Sequence, residues 1–310
     1  MRKPNLFIVG HPRSGTSSLH NYLGQHPDVF MTPIKEPNFF ARDFHAESDR
    51  FHRKQLYFPY RTEKRYLKLY KNWKHEKCAG EASWTNFYSQ VAADQLYRFN
   101  PDARIIILFR EPVDFLYSYH SAATFALGET CLDFKAALRL EKIRKDGRLL
   151  SKRVITPSWL FYSEFINYSK QIERYLSLFK KDRVKIILFD ELKNHTARVY
   201  GEILEFIKVA PDFIPEFNVV NPNKVLKWPR LKKLILDSPY FRKFLRLAFS
   251  DTGYAKMKNF YKNRLVAYKP RPDLDTTYRA ELMHRFKDEV AKTGDLLKKD
   301  LITLWNYDSA

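Results

Sequence analysis

The chain has 310 residues, 45% of them hydrophobic and 16% aromatic, enough for one large α/β domain or two small ones and too apolar for wholesale disorder. Lys and Arg outnumber Asp and Glu by 55 to 35, and the resulting net charge of +20 points to an anionic partner: nucleotide, nucleic acid, acidic glycan or membrane surface. Cys78 and Cys131 stand far apart, with no CxxC pair and no Cys/His cluster at zinc spacing, which argues against a disulfide scaffold and a zinc domain.

The first apolar run, Leu6–Val9, is too short for a signal peptide, and no window approaches the length of a membrane-spanning helix. The expectation is a soluble, cytoplasmic protein made in a reducing compartment. Leu6–Val9 instead reads as a buried strand, as do Ile105–Phe109, Val184–Phe189 and, more weakly, Cys78–Glu81. Helical patterns separate them: Thr16–Gln25, Asn86–Phe99, Pro112–Ala123 with proline at its start, Ser158–Phe179 and His195–Val209. Asp275 is a good N-cap for a last helix whose Leu282, Phe286 and Val290 recur at helical spacing. Strands alternating with helices predict an α/β, P-loop-like three-layer fold with a central parallel sheet flanked by helices. Residues 1–310 read as a single domain, in which Val219–Pro272, rich in interleaved Lys, Arg, Phe and Tyr, is a basic, aromatic lid or insertion.

The most informative stretch is Gly10-His11-Pro12-Arg13-Ser14-Gly15-Thr16-Ser17, between a strand and a helix. This is the spacing of a phosphate loop, in which glycines let backbone N–H groups converge on a phosphate and the helix N-terminus adds partial positive charge. Nucleoside triphosphatases carry Lys after the second glycine; here Thr16 stands there, and Arg13 is the loop's cation. Where such enzymes end a strand in a magnesium-holding Asp, the third strand here ends in Arg110. The pattern suits two phosphate-like groups and no metal.

GHPRSGTS at 10–17 resembles the 5′-phosphosulfate loop of the sulfotransferases. Arg110-Glu111-Pro112 with Ser118 resembles their 3′-phosphate motif, and Lys35-Glu36-Pro37-Asn38-Phe39-Phe40 is similar to the KExxFF stretch of heparan sulfate N- and 3-O-sulfotransferases. Gly80-Glu81-Ala82-Ser83 and the helix from Asp275 to Trp305 also look like parts of that family. The resemblance implies 3′-phosphoadenosine 5′-phosphosulfate as sulfuryl donor, its 3′,5′-bisphosphate as product, and no metal. It implies Arg13, Ser14, Gly15, Thr16 and Ser17 around the 5′-phosphosulfate, Arg110 and Ser118 on the 3′-phosphate, and Lys224 closing from a later loop. The sequence departs from the family in using Arg13 where many members have Lys, and in lacking a membrane anchor and the cysteine pair that closes a cofactor loop in the heparan sulfate enzymes.

Sulfuryl transfer needs stabilisation of charge on equatorial oxygens and a base for the acceptor proton. The family pattern assigns Arg13 the first task and Glu36 the second, with Glu81 the rival base. His11 and His20 are expected to pack or cap, and Asp190 to be structural or to start a helix. Tyr240–Arg271 interleaves cations with rings that can stack sugar faces. The expected acceptor is a hydroxyl or amine, first of all of a carbohydrate, and not a specific nucleic acid. The alternatives are a nucleotide kinase with a degenerate loop, disfavoured by Thr16 and Arg110, and a non-catalytic binder of anionic glycan or nucleic acid.

Overall fold

The computed structural model describes residues 2–218, 224–226, 266–268 and 271–309. Five parallel strands form the main sheet: β1 (Leu6–Gly10), β2 (Val29–Met31), β3 (Cys78–Ala82), β4 (Arg104–Phe109) and β5 (Val184–Leu188), in the order β2-β3-β1-β4-β5. Four match the predicted runs. The fifth, β2, is only three residues long and gives too little pattern to be read from sequence.

Each central strand is buried on both faces, and its side chains alternate between two cores. Phe7, Val9, Ile105, Ile107 and Phe109 face one cluster, with Phe39, Phe40, Leu96, Phe115 and Phe165. Leu6, Ile8, Ile106 and Leu108 face the other, with Leu19, Leu23, Ile203 and Leu204. Helices Thr16–Leu23 and Thr196–Ile207 thus cover one face, and helices Ala92–Phe99, Pro112–Ala122, Tyr168–Leu176 and Thr276–Leu297 the other. This is the expected three-layer arrangement. Asp275 caps the last helix by accepting from the Tyr278 N–H at 2.8 Å, as its sequence predicts.

Two predicted helices are broken. Ser158–Phe179 forms two 3₁₀ turns, Pro157–Leu160 and Tyr162–Ile166, before the helix Tyr168–Leu176. Its backbone groups are committed elsewhere: the carbonyls of Ser158, Trp159 and Phe165 accept from Tyr88, Tyr119 and Gln171, and the Ser163 N–H donates to Glu141 at 2.9 Å. Beneath this segment Arg144 makes two 2.7 Å bonds to Glu129, both side chains fully buried, and the Tyr162 hydroxyl donates to the same carboxylate at 2.8 Å. Asn86–Phe99 divides into Thr85–Tyr88 and Ala92–Phe99, because the Ser89 hydroxyl accepts from the Val91 and Ala92 N–H groups and starts a new helix.

The chain divides into two compact units, Met1–Val220 with Leu274–Ala310, and Asn221–Asp273. In the second, β6 (Lys224–Leu226) pairs antiparallel with β7 (Val266–Tyr268). Otherwise the segment expected as a lid or insertion, 219–272, lies almost wholly outside the described residues, as does the side chain of Lys224. Among the described residues no helix is long and apolar enough to cross a membrane.

Gly10 ends β1 with φ of +133°, and a Cβ there would lie 2.0 Å from the Leu108 carbonyl oxygen of β4. Gly10→Ala should therefore cost about 3 kcal/mol or more, a clash with rigid backbone added to a forbidden φ. Urea denaturation checks this: a loss under about 1 kcal/mol would mean that the strand end yields.

Candidate active site

Ligands of open parallel sheets bind outside the carboxyl ends of the strands. Here those ends carry the Gly10 loop on β1, Glu81 on β3 and Arg110 just beyond β4. The loop is built from left-handed turns. Arg13 has φ of +68°, unusual for a side-chain-bearing residue, and Gly15 has +91°, with a Cβ there only 2.7 Å from Leu192. Gly15 is the N-cap of helix Thr16–Leu23, and no side chain caps that N-terminus. Ser14 is fully buried and its hydroxyl has no hydrogen-bond partner; Thr16 is buried and Ser17 half-buried beside it. Backbone N–H groups in such a nest, with an orphaned buried hydroxyl, suit the oxygens of an anion.

The structure joins the two predicted anion motifs, which are far apart in sequence. Arg13 Nε donates to Ser118 Oγ at 3.2 Å. Burial and then the like charge of Arg110 lower the Arg13 pKa, so two guanidiniums stand within electrostatic reach of one another. An anion between them would relieve that repulsion. Arg110 lies over the Phe189 ring at 4.6 Å, donates to Asp114 at 3.2 Å and leaves its Nε buried without a partner. The Tyr168 hydroxyl fixes the Arg110 backbone by donating to its carbonyl at 3.0 Å.

Glu36 reaches the same sheet edge through its loop. Phe39 stacks on Tyr66 with ring centroids 4.5 Å apart, and Phe40 meets Phe7 edge-on at 5.5 Å, which anchors the loop in the core. The Glu36 N–H then donates to the Ala82 carbonyl at 2.9 Å, the Asn38 N–H donates to Ser83 Oγ at 3.2 Å, and Thr85 donates to the Asn38 side chain at 2.7 Å. Glu36 and Asn38 both have left-handed backbone, with φ of +61° and +55°. Such conformations persist only where surrounding contacts hold them, and they gather at functional sites. The Glu36 carboxylate accepts from Lys35 at 2.5 Å and is 38% exposed, so it can meet a substrate.

Glu81 is fully buried, accepting from Ser83 at 2.6 Å and Asn86 at 3.5 Å. Burial pushes its carboxyl up to about 7, against the bonds from Ser83 and Asn86 and the charge of Lys35, while Glu36 adds repulsion. That environment is a structural anchor for β3 more than a base open to an acceptor.

The two histidines stay neutral at pH 7. His11 is fully buried between Phe115 and Tyr168, bonded to Gln171 at 3.0 Å, and burial takes it down to about 3. Burial and then Lys35 take His20 down to about 4. Asp190 accepts from Trp305 at 3.2 Å within helix Phe189–Asn194, a structural role as expected. Among the described residues no three His, Cys, Asp or Glu side chains form a metal-holding group.

A model of the sulfotransferase family matches residues 4–212. The chain belongs to the sulfotransferase family. Among its relatives, human bifunctional heparan sulfate N-deacetylase/N-sulfotransferase 3 is 24% identical over 221 residues, 68% of this chain and 23% of that protein. Human carbohydrate sulfotransferase 15 is 24% identical over 322 aligned residues, 81% of this chain and 54% of that protein. The chain thus spans between about a quarter and about half the length of these relatives. A crystallised sulfotransferase from Alicyclobacillus acidocaldarius superposes with a TM-score of 0.71 at 25% identity, covering 99% of this sulfotransferase and 100% of the other chain.

Sequence reasoning missed the acidic and tyrosine partners around Arg110, described below. Of these, Glu111 alone left a local signal, as a capping residue before a proline at helix position one.

The Glu81 environment sets a pH test. Its folded pKa is raised from 4.5 to about 7, so its contribution to stability is full below 4.5 and is lost as pH rises through 7. His11 and His20, depressed from 6.5, contribute stability present above 6.5 and lost on acidification. Glu81→Gln removes only the first contribution. Relative to wild type, its unfolding free energy from urea denaturation should therefore rise from pH 5 to about pH 7 and then level off, with a limiting slope of about 1.4 kcal/mol per pH unit. A difference independent of pH would mean that Glu81 is ionised throughout.

Proposed function

We propose that this sulfotransferase moves the sulfuryl group of 3′-phosphoadenosine 5′-phosphosulfate to a hydroxyl or amine of a carbohydrate, without a metal. The observation that carries the reading is the Arg13–Ser118 bond, which brings the 5′-phosphosulfate loop and the 3′-phosphate motif to one site with Arg110 beside them. The donor supplies an activated sulfuryl group. Around it, the loop N–H groups with Ser14, Thr16 and Ser17 bind the 5′ end, and Arg110 with Ser118 binds the 3′-phosphate. Arg13, with its planar fork, serves oxygens on which charge grows. Glu36 takes the acceptor proton, and the bond from Lys35 holds the carboxylate in place for it.

A carbohydrate acceptor is supported by the names of the relatives, and an acidic one by charge. Residues 221–273 hold 14 Lys and Arg against three Asp and no Glu, more than half of the chain's net surplus. We assign this segment the meeting with the acceptor, and the protein to a reducing, cytoplasmic setting, in keeping with the free thiols of Cys78 and Cys131.

Adenosine 3′,5′-bisphosphate should raise the melting temperature in the presence of chelator, and ATP with magnesium should raise it less. Equal effects, or a strict need for magnesium, would overturn the donor assignment. Glu36→Gln should slow single-turnover sulfation by about 10²–10⁴-fold while leaving nucleotide affinity nearly unchanged. The assay screens sugar, lipid and phenol acceptors for the added mass of a sulfuryl group. Near-normal sulfation by Glu36→Gln would move the base elsewhere.

A further inference from the structure

Arg110 does not stand alone with its carboxylate. Asp114, one helical turn away, divides its two oxygens between two arginines: Oδ2 accepts from Arg110 at 3.2 Å and Oδ1 from Arg279 at 2.8 Å. Arg279 also approaches Glu111 Oε2 at 3.4 Å. Glu111, itself buried, caps its helix through the Val113 and Asp114 N–H groups at 2.8 and 2.7 Å, and accepts from the Tyr307 hydroxyl at 2.6 Å. Arg279 and Tyr307 both come from the C-terminal segment, beyond the residues 4–212 that the family model matches.

Geometry and charge give this arrangement a consequence. A carboxylate within hydrogen-bond reach of an arginine normally forms its own ion pair with it. Were Asp114 to do so with both oxygens, the guanidinium meant for an incoming phosphate would be neutralised and turned inward. Arg279 takes one oxygen and compensates the carboxylate's charge from the far side. Burial alone would raise the Asp114 carboxyl; the bond from Arg279, with the charges of Arg110 and Arg279, holds it below its usual value. Arg110 is left with one bond to Asp114, a ring beneath it and a buried Nε without a partner.

We propose that Arg279 is a positioning residue for 3′-phosphate recognition: by holding one oxygen of Asp114 it keeps the Arg110 guanidinium from being fully paired with that carboxylate and leaves it aimed for the 3′-phosphate. The C-terminal helix is then part of what distinguishes a 3′-phosphorylated nucleotide from its 3′-hydroxyl counterpart. This rests on the nucleotide reading given above.

The test is calorimetric titration of the full chain with adenosine 3′,5′-bisphosphate and with adenosine 5′-monophosphate. Wild type should prefer the bisphosphate. Arg279→Ala should lower that preference tenfold or more while changing monophosphate affinity less than about threefold, since the 5′ loop is untouched. Removing the carboxylate as well, in Arg279→Ala with Asp114→Asn, should restore most of the preference, a rescue that general loss of structure does not give. Arg279→Lys, which keeps the charge without the fork, should fall between and serves if the alanine variant does not fold. No preference in wild type would overturn the nucleotide reading and the inference with it. A preference in wild type that survives Arg279→Ala or Arg279→Lys unchanged, a loss equal for both nucleotides, or failure of the double variant to recover, would overturn the inference alone.

Discussion

The site depends on how closely β1 and β4 approach at their carboxyl ends. The His11 N–H donates to the Leu108 carbonyl at 2.8 Å, the same carbonyl that leaves no room for a side chain at Gly10. That contact turns the chain sharply off the sheet and points His11–Gly15 into a loop. It also fixes the separation between the loop, on β1, and Arg110, two residues beyond Leu108 on β4. Arg13 can reach Ser118 only because both strands end at the same height. Loop and helix therefore meet at one sheet edge, and Arg13 and Arg110 already stand near one another there.

Three residues of this region, Arg13, Glu36 and Asn38, hold left-handed backbone conformations that cost side-chain-bearing residues free energy, and Glu36 and Asn38 are pinned by hydrogen bonds at the end of β3. For Glu36 the pins are two phenylalanines in the core and two hydrogen bonds to the end of β3. Glu36 thus hangs from the core and the end of β3, although it belongs to a loop.

What could be read from the sequence follows the range of the interactions. The phosphate loop was legible because its chemistry is local: glycines, a strand before and a helix after, with Thr16 in place of Lys marking a different anion. Glu36 was singled out only through the resemblance of KEPNFF, and the structure shows that Phe39 and Phe40 anchor that loop in the core. The weak run at Cys78–Glu81 was still recognisable as a strand, whereas Val29–Met31 was too short. Ser158–Phe179 misled because its apolar spacing was helical while its carbonyls were bonded to tyrosines more than 30 residues away in sequence. The Arg279–Asp114 pair spans 165 residues, and nothing in either neighbourhood announces the other. Pairings of that kind are set by how the C-terminal helix packs on the sheet, which composition and periodicity do not encode.

The interior also changes how the molecule looks from outside. Glu81, Glu111, Glu129 and Glu141 are buried, and among the described residues Arg144 is the one basic side chain buried with them. Among the described residues, four acidic groups are thus withdrawn from the solvent against one cation. Formal net charge understates the imbalance that a polyanion meets at the surface. Folding acids inward, where they hold turns and helix ends, adds to the surplus of cations that the composition already sets. A long acidic polymer drawn along this surface would find few places to be pushed away, and the gain on contact would come largely from the small cations it sheds into solution.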